Sequence, residues 1–135
     1  FLGIWIRLLI GAKPIKVFGS GEQLRDFNYV DDCVNALMLA AASEKTNGKI
    51  YNLGSDEVIS LRTLAGMMTD MVSGSSFELV PFPADREAID IGDYFSNFKL
   101  FYKELRWKPM IELNRGLQKT LDYYREHKSA YWEEI

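Results

Sequence analysis

Among 135 residues the sequence holds one cysteine, Cys33, and one histidine, His127. A single cysteine excludes any disulfide within the chain, and a reducing, cytoplasmic setting is the simplest one for it. One Cys and one His far apart form neither a metal-ligand set nor a nucleophile–base pair, so neither a metal site nor a catalytic residue is expected. Positive charge is also scarce. The 16 Lys and Arg against 19 Asp and Glu leave a net charge of −3, which excludes the broad basic face of a nucleic-acid binder. Any anion site must be local. Long apolar runs are lacking as well: the most apolar stretch, Phe1 to Ala12, is interrupted by Arg7. It is too short to span a bilayer and lacks the basic start and cleavage site of a signal peptide. No membrane partner is expected.

What is present reads as a small α/β unit. Phe1, Ile4, Trp5, Leu8 and Leu9 share a helical face, predicting a helix over Leu2 to Ile10 that stops at Gly11, with Pro14 behind it. Ile15 to Phe18 is an expected strand, and Asp26 to Val30 a second extended piece. Asp31 or Asp32 is expected to cap a following helix whose Val34, Leu37, Met38 and Ala41 form one buried face. Ile50 to Leu53 is an expected strand. Ser60 is an N-cap candidate for a helix buried through Leu61, Leu64, Ala65, Met68 and Val72. Phe77 to Val80 reads as a strand and Pro81 to Gly92 as irregular. Helical patterns follow over Asn97 to Leu105 and Glu112 to Glu126, the latter with an apolar stripe of Leu113, Leu117, Leu121 and Tyr124. Short strands alternating with helices imply an α/β fold. The sheet is small, and the opening residue already lies inside a helical pattern, so the expectation is one domain, residues 1–135, cut from a longer chain.

Chemistry concentrates in Gly19-Ser-Gly-Glu-Gln-Leu-Arg-Asp-Phe-Asn-Tyr-Val-Asp-Asp32. Its glycines do not make a dinucleotide fingerprint, because Leu24 stands where the third glycine belongs, and no Lys-Ser/Thr follows to make a P-loop. They turn the chain. Arg25 is different: it sits among apolar and aromatic residues, where an enclosed guanidinium needs an anion. Neighbours on a strand face opposite ways, so Asp26 is poorly placed to serve, and a phosphate suits the planar fork. Arg86 lies among Asp85, Glu87 and Asp90 and reads by itself as a surface ion pair. Cys33 reads as packed rather than reactive, Met67, Met68 and Met71 as core filler, and His127 as a cation at a helix end.

This segment resembles the G-x-G-x-Q-x-R-D-[FWY]-x-Y-V-x-D motif of the extended short-chain dehydrogenases/reductases, the NAD-dependent nucleotide-sugar epimerases and dehydratases. Tyr51-Asn-Leu-Gly54 is similar to the family's Y-N-[ILV]-G, and Leu105-Arg-Trp-Lys-Pro109 with Arg115-Gly-Leu117 and Thr120 is similar to its L-G-W-x-P ending, Arg106 replacing the glycine. The resemblance implies the small C-terminal, nucleotide-sugar-binding lobe. The family's glycine-rich NAD turn and catalytic Tyr-x-x-x-Lys belong to the N-terminal Rossmann lobe and are not expected here. It implies that Arg25 contacts the nucleotide diphosphate, that Phe18 packs on the base, that Asn52 lines the sugar-nucleotide site, and that Arg86 is a second diphosphate arginine. For the intact enzyme it implies NAD, a nucleotide-diphosphate sugar, the Rossmann lobe as partner and the option of a homodimer. The activity implied is of the UDP-glucose 4-epimerase or dTDP-glucose 4,6-dehydratase kind. A reductase or decarboxylase of the same family, or a non-enzymatic binding module on the same fold, is the alternative.

Overall fold

The computed structural model describes residues 1–132. It begins with α1 (Leu2–Ile10), then β1 (Ile15–Phe18), β2 (Leu24–Asp26) and α2 (Val30–Ala41). After a long irregular stretch come β3 (Val58–Ser60), α3 (Leu61–Asp70), β4 (Phe77–Val80) and the short α4 (Ala84–Glu87). The chain closes with α5 (Lys99–Leu105), α6 (Leu113–Glu126) and α7 (Lys128–Tyr131). The strands form two separate pairs. β1 runs parallel to β4 with Ile15 opposite Phe77, and β2 runs antiparallel to β3 with Arg25 opposite Ile59.

The main core lies between α1, β1, α3 and α6. Trp5, Ile6 and Leu9, then Ile15 and Val17, then Leu64, Ala65 and Met68, and lastly Leu113, Leu117 and Leu121 form one buried cluster. The expected stripes of α3 and α6 are therefore the ones buried. On α1 the face is rotated: Ile6 joins the core while Phe1 and Ile4 stay exposed. That helix is apolar almost all round, so periodicity could not fix its orientation. Its stop also differs in detail. Gly11 keeps a negative φ, and Ala12, at φ 52°, takes the left-handed position. A second cluster joins Ala36 to Phe98, Phe101 and Trp107.

Four expectations are corrected. The second extended piece falls on Leu24–Asp26, not on Asp26 to Val30, because Val30 already starts α2. Ile50 to Leu53 has no strand partner among the described residues, and Ile50 is 90% exposed. The expected buried face of α2 is open: Val34 is 52%, Leu37 67% and Met38 67% exposed, and Ala36 alone of its apolar residues is fully buried. Sequence periodicity finds an apolar face correctly but does not say what covers it. The capping expectation also fails, since neither Asp31 nor Asp32 caps α2. Asp31 Oδ2 instead lies 3.0 Å from Lys119 Nζ. Asp32, buried, accepts from the Ile111 amide at 2.9 Å, while its backbone carbonyl accepts from Trp107 Nε1 at 3.2 Å. The end of the Gly19–Asp32 segment is thus held by the stretch from Trp107 to Ile111.

Candidate functional site

Strand alternation builds the first wall. Ile15 and Val17 are fully buried, so Lys16 and Phe18 emerge on the opposite face of β1. Phe18 meets Phe82, just beyond β4, with ring centroids 5.7 Å apart. Gly19 permits this: at φ +66°, a Cβ there would stand 2.9 Å from the Phe82 ring. The glycine turn therefore shapes an aromatic wall. Between that wall, α1 and β2 lies a cavity of about 360 Å³, within the range of small-ligand sites. Phe1, Ile4, Trp5 and Leu8 line one side, Phe18, Phe82 and Leu61 another, and the polar residues are Lys16, Gln23, Arg25 and Asp90.

Arg25 enters from β2, half-buried. Its Nη1 donates to the carbonyls of Leu24 at 2.7 Å and Gly92 at 2.5 Å. One nitrogen thus fixes the guanidinium to the backbone, and Nε and Nη2 carry no protein partner among the described residues. Such a fork is preorganised for an anion. Asp26, next door, faces the other way, as expected. Its Oδ2 accepts from the amides of Ser55 at 3.0 Å and Ser96 at 3.1 Å. Gly54 makes this possible, since a Cβ there would lie 2.6 Å from the Ser96 carbonyl and 2.7 Å from Asp26 Oδ2.

Of the four candidate residues, Phe18 and Arg25 come together on this cavity. Asn52 and Arg86 do not line it. Arg86 is exposed on α4, its Nε 3.7 Å from Asp85 Oδ2, as its local sequence suggested. Reading by motif missed Lys16, Gln23, Asp90 and Phe82. Lys16 was legible, since it lies two residues before Phe18 on the same strand face. Asp90 was not, because an acid in an irregular acidic stretch carries no signal of direction. Gln23 Nε2 donates to Asp90 Oδ2 at 3.4 Å, which leaves the buried Gln23 Oε1 without a partner among the described residues.

Elsewhere the titratable groups act structurally. Burial, and secondarily the Asp32 carboxylate, push the Cys33 thiol up, away from the reactive thiolate. Glu104 is held below the ordinary carboxylate range by hydrogen bonds from Tyr51 and then from Lys49. That cluster ties the segment around Tyr51 to α5. The Tyr-x-x-x-Lys spacing, which was not expected, does occur once, as Tyr124 and Lys128. It is not a catalytic pair: α6 ends at Glu126 between them, and Tyr124 stacks on Trp132 with centroids 5.3 Å apart. Gly19-Ser-Gly21 does not form a dinucleotide-binding turn, because it leads from one strand into another and not into a helix N-terminus.

Comparison with known proteins gives the family and the fold. Residues 1–54 match the model of the NAD dependent epimerase/dehydratase family. The chain is 28% identical over 131 residues to a dTDP-glucose 4,6-dehydratase of Streptomyces griseus, covering 97% of this chain and 39% of that protein. It is 30% identical over 126 residues to a UDP-N-acetyl-alpha-D-glucosaminuronate decarboxylase of Bacillus cytotoxicus, covering 90% of this chain and 39% of the relative. Among solved structures, a UDP-glucuronic acid 4-epimerase from Bacillus cereus, in complex with UDP-glucuronic acid and NAD, superposes with a TM-score of 0.77. That match is 26% identical and covers 93% of this chain and 39% of the epimerase. The fold is the small α/β lobe of an extended short-chain dehydrogenase/reductase. The chain belongs to the NAD-dependent epimerase/dehydratase family of nucleotide-sugar enzymes, and it spans about two-fifths of the length of the relatives it matches.

Proposed function

We propose that residues 1–135 form the C-terminal, nucleotide-sugar-binding domain of an NAD-dependent epimerase or dehydratase. The carrying observation is that Phe18 and Arg25, from different strands, border one largely apolar cavity. A planar base packs on the Phe18–Phe82 wall, and the free edge of the Arg25 guanidinium takes the diphosphate. Asn52, as a residue lining the sugar-nucleotide site, and Arg86, as a second diphosphate arginine, remain in this reading beyond the cavity wall. NAD and the reacting groups come from an N-terminal Rossmann lobe, and this domain positions the sugar against them. The open apolar face of α2 and the unpaired Ile50 segment supply surfaces for that lobe to cover. A homodimer of the intact enzyme, met through the other lobe, is part of the same reading, as is a cytoplasmic location. No helix among the described residues is long and apolar enough to cross a membrane. A decarboxylase is the second reading, favoured by the 30% identical relative.

The test is a two-dimensional amide NMR titration of the chain with UDP-, dTDP-, GDP- and CDP-glucose, repeated on Arg25→Ala. Saturable shifts mapping to β1, β2 and Phe82 are expected for at least one ligand. Affinity should fall about tenfold or more in the variant, the worth of a charge-assisted hydrogen bond. A dispersed spectrum indifferent to all four sugars, or equal binding by the variant, would sink the reading.

A further inference from the structure

We propose that Asp93 is a positioning residue for the diphosphate arginine: it pins the Gly92–Tyr94 turn to β2, and the Gly92 carbonyl in turn holds the Arg25 guanidinium at the cavity. This rests on the nucleotide-binding reading of that cavity and names what prepares its arginine. Asp93 Oδ1 accepts from the Leu24 amide at 2.8 Å, and the Tyr94 amide donates to the Leu24 carbonyl at 3.0 Å. Side chain and backbone of one dipeptide thus grip both polar groups of the residue before Arg25. The grip sets Gly92 beside Arg25, whose Nη1 donates to its carbonyl at 2.5 Å and to that of Leu24 at 2.7 Å. Gly92 takes φ +64° there, although a Cβ on it would meet nothing within 4 Å. The glycine therefore serves the direction of the backbone, not a need for space. Little else holds this segment. Ile89, Ile91 and Tyr94 are more than half exposed, so burial does not anchor it. The tie from Gln23 Nε2 to Asp90 Oδ2 is long at 3.4 Å, and the Ser96 amide on Asp26 lies downstream. Asp93 does not line the cavity, and Arg25 makes no ion pair among the described residues. The carboxylate therefore acts through the backbone and leaves the guanidinium charge to the ligand. An unrestrained arginine gives up rotamer freedom on meeting a diphosphate. One already held by two carbonyls has less to lose, and its Nε and Nη2 edge stays open.

The test joins two NMR measurements on the chain and its Asp93→Ala, Asp93→Asn, Arg25→Ala and doubly substituted Arg25→Ala, Asp93→Ala variants. One is the heteronuclear NOE of the Arg25 Nε–H signal in the free chains, the signal being identified by its loss in Arg25→Ala. It should report a restrained side chain in the unaltered chain and in Asp93→Asn, which keeps the Oδ1 acceptor, and a mobile one in Asp93→Ala. The other is a titration with UDP-, dTDP-, GDP- and CDP-glucose. Affinity for whichever binds tightest should fall about fivefold in Asp93→Ala and stay within about twofold in Asp93→Asn. In the Arg25→Ala background, Asp93→Ala should cost about twofold at most, because its effect runs through the arginine. Asp93 is exposed, so its replacement leaves both cores intact. A mobile Arg25 in the unaltered chain, full affinity in Asp93→Ala, or an equal loss with and without Arg25 overturns the positioning role while leaving the nucleotide reading intact. An unaltered chain that binds none of the four sugars overturns both.

Discussion

Arg25 and Asp26 are neighbours with opposite duties, and the pleat of β2 is the reason. Arg25 turns toward the cavity, and among the described residues its side chain hydrogen-bonds only to backbone carbonyls. Asp26 turns inward and gathers the Ser55 and Ser96 amides. Their substitutions should therefore separate. Asp26→Ala strands two amides away from water and should destabilise the chain by about 2–4 kcal/mol, read as a shift of the urea midpoint. Asp26→Asn keeps an acceptor oxygen and should cost less than half of that. Arg25→Ala should weaken ligand binding with a smaller stability change. A large stability loss in Arg25→Ala with Asp26→Ala neutral would reverse the assignment. The sequence revealed half of this. Strand alternation showed that the two side chains could not pair, but it gave no view of Ser55 and Ser96, which lie 29 and 70 residues away along the chain.

Elements with local start and stop chemistry were the most legible. Ser60 accepts from the Thr63 amide at 3.1 Å and opens α3, as its position before an apolar stripe indicated. Ser60→Ala should lower stability by about 1 kcal/mol, measured by chemical unfolding, with Ser60→Asp restoring most of the loss. An unchanged midpoint in Ser60→Ala would show that packing of Leu64 and Met68 alone sets the helix start. Elements whose ends are set from afar were not legible. α6 has no side-chain cap from its own N-cap residue, Glu112, and is met by Glu57 Oε2, which accepts from the Leu113 amide at 2.7 Å. The Ile50 to Leu53 pattern is strand-like, yet a strand needs a partner, and none lies beside it among the described residues. The cavity was partly legible for the same reason: Phe18 and Arg25 carry motif and local context, while Phe82 and Asp90 reach it only through the folding of an irregular segment.

At the scale of the whole molecule, the two cores account for the buried apolar residues, and the outward face of α2 is left over. Val30, Val34, Leu37 and Met38 lie together on the helix, more than half exposed. A contiguous apolar face of this kind is a docking surface or an aggregation hazard. In the proposed function its occupant is the N-terminal lobe, and in that lobe's absence a second copy of the chain is the nearest apolar partner. The double substitution Leu37→Glu and Met38→Glu should therefore suppress concentration-dependent association, followed by analytical ultracentrifugation. It should leave the thermal midpoint within about 2 °C, since substitutions at exposed sites cost little. Burial of these residues in the isolated chain would show itself as a midpoint fall of about 5 °C or more. In that case α2 would belong to the core of this domain, and the other lobe would have to dock elsewhere.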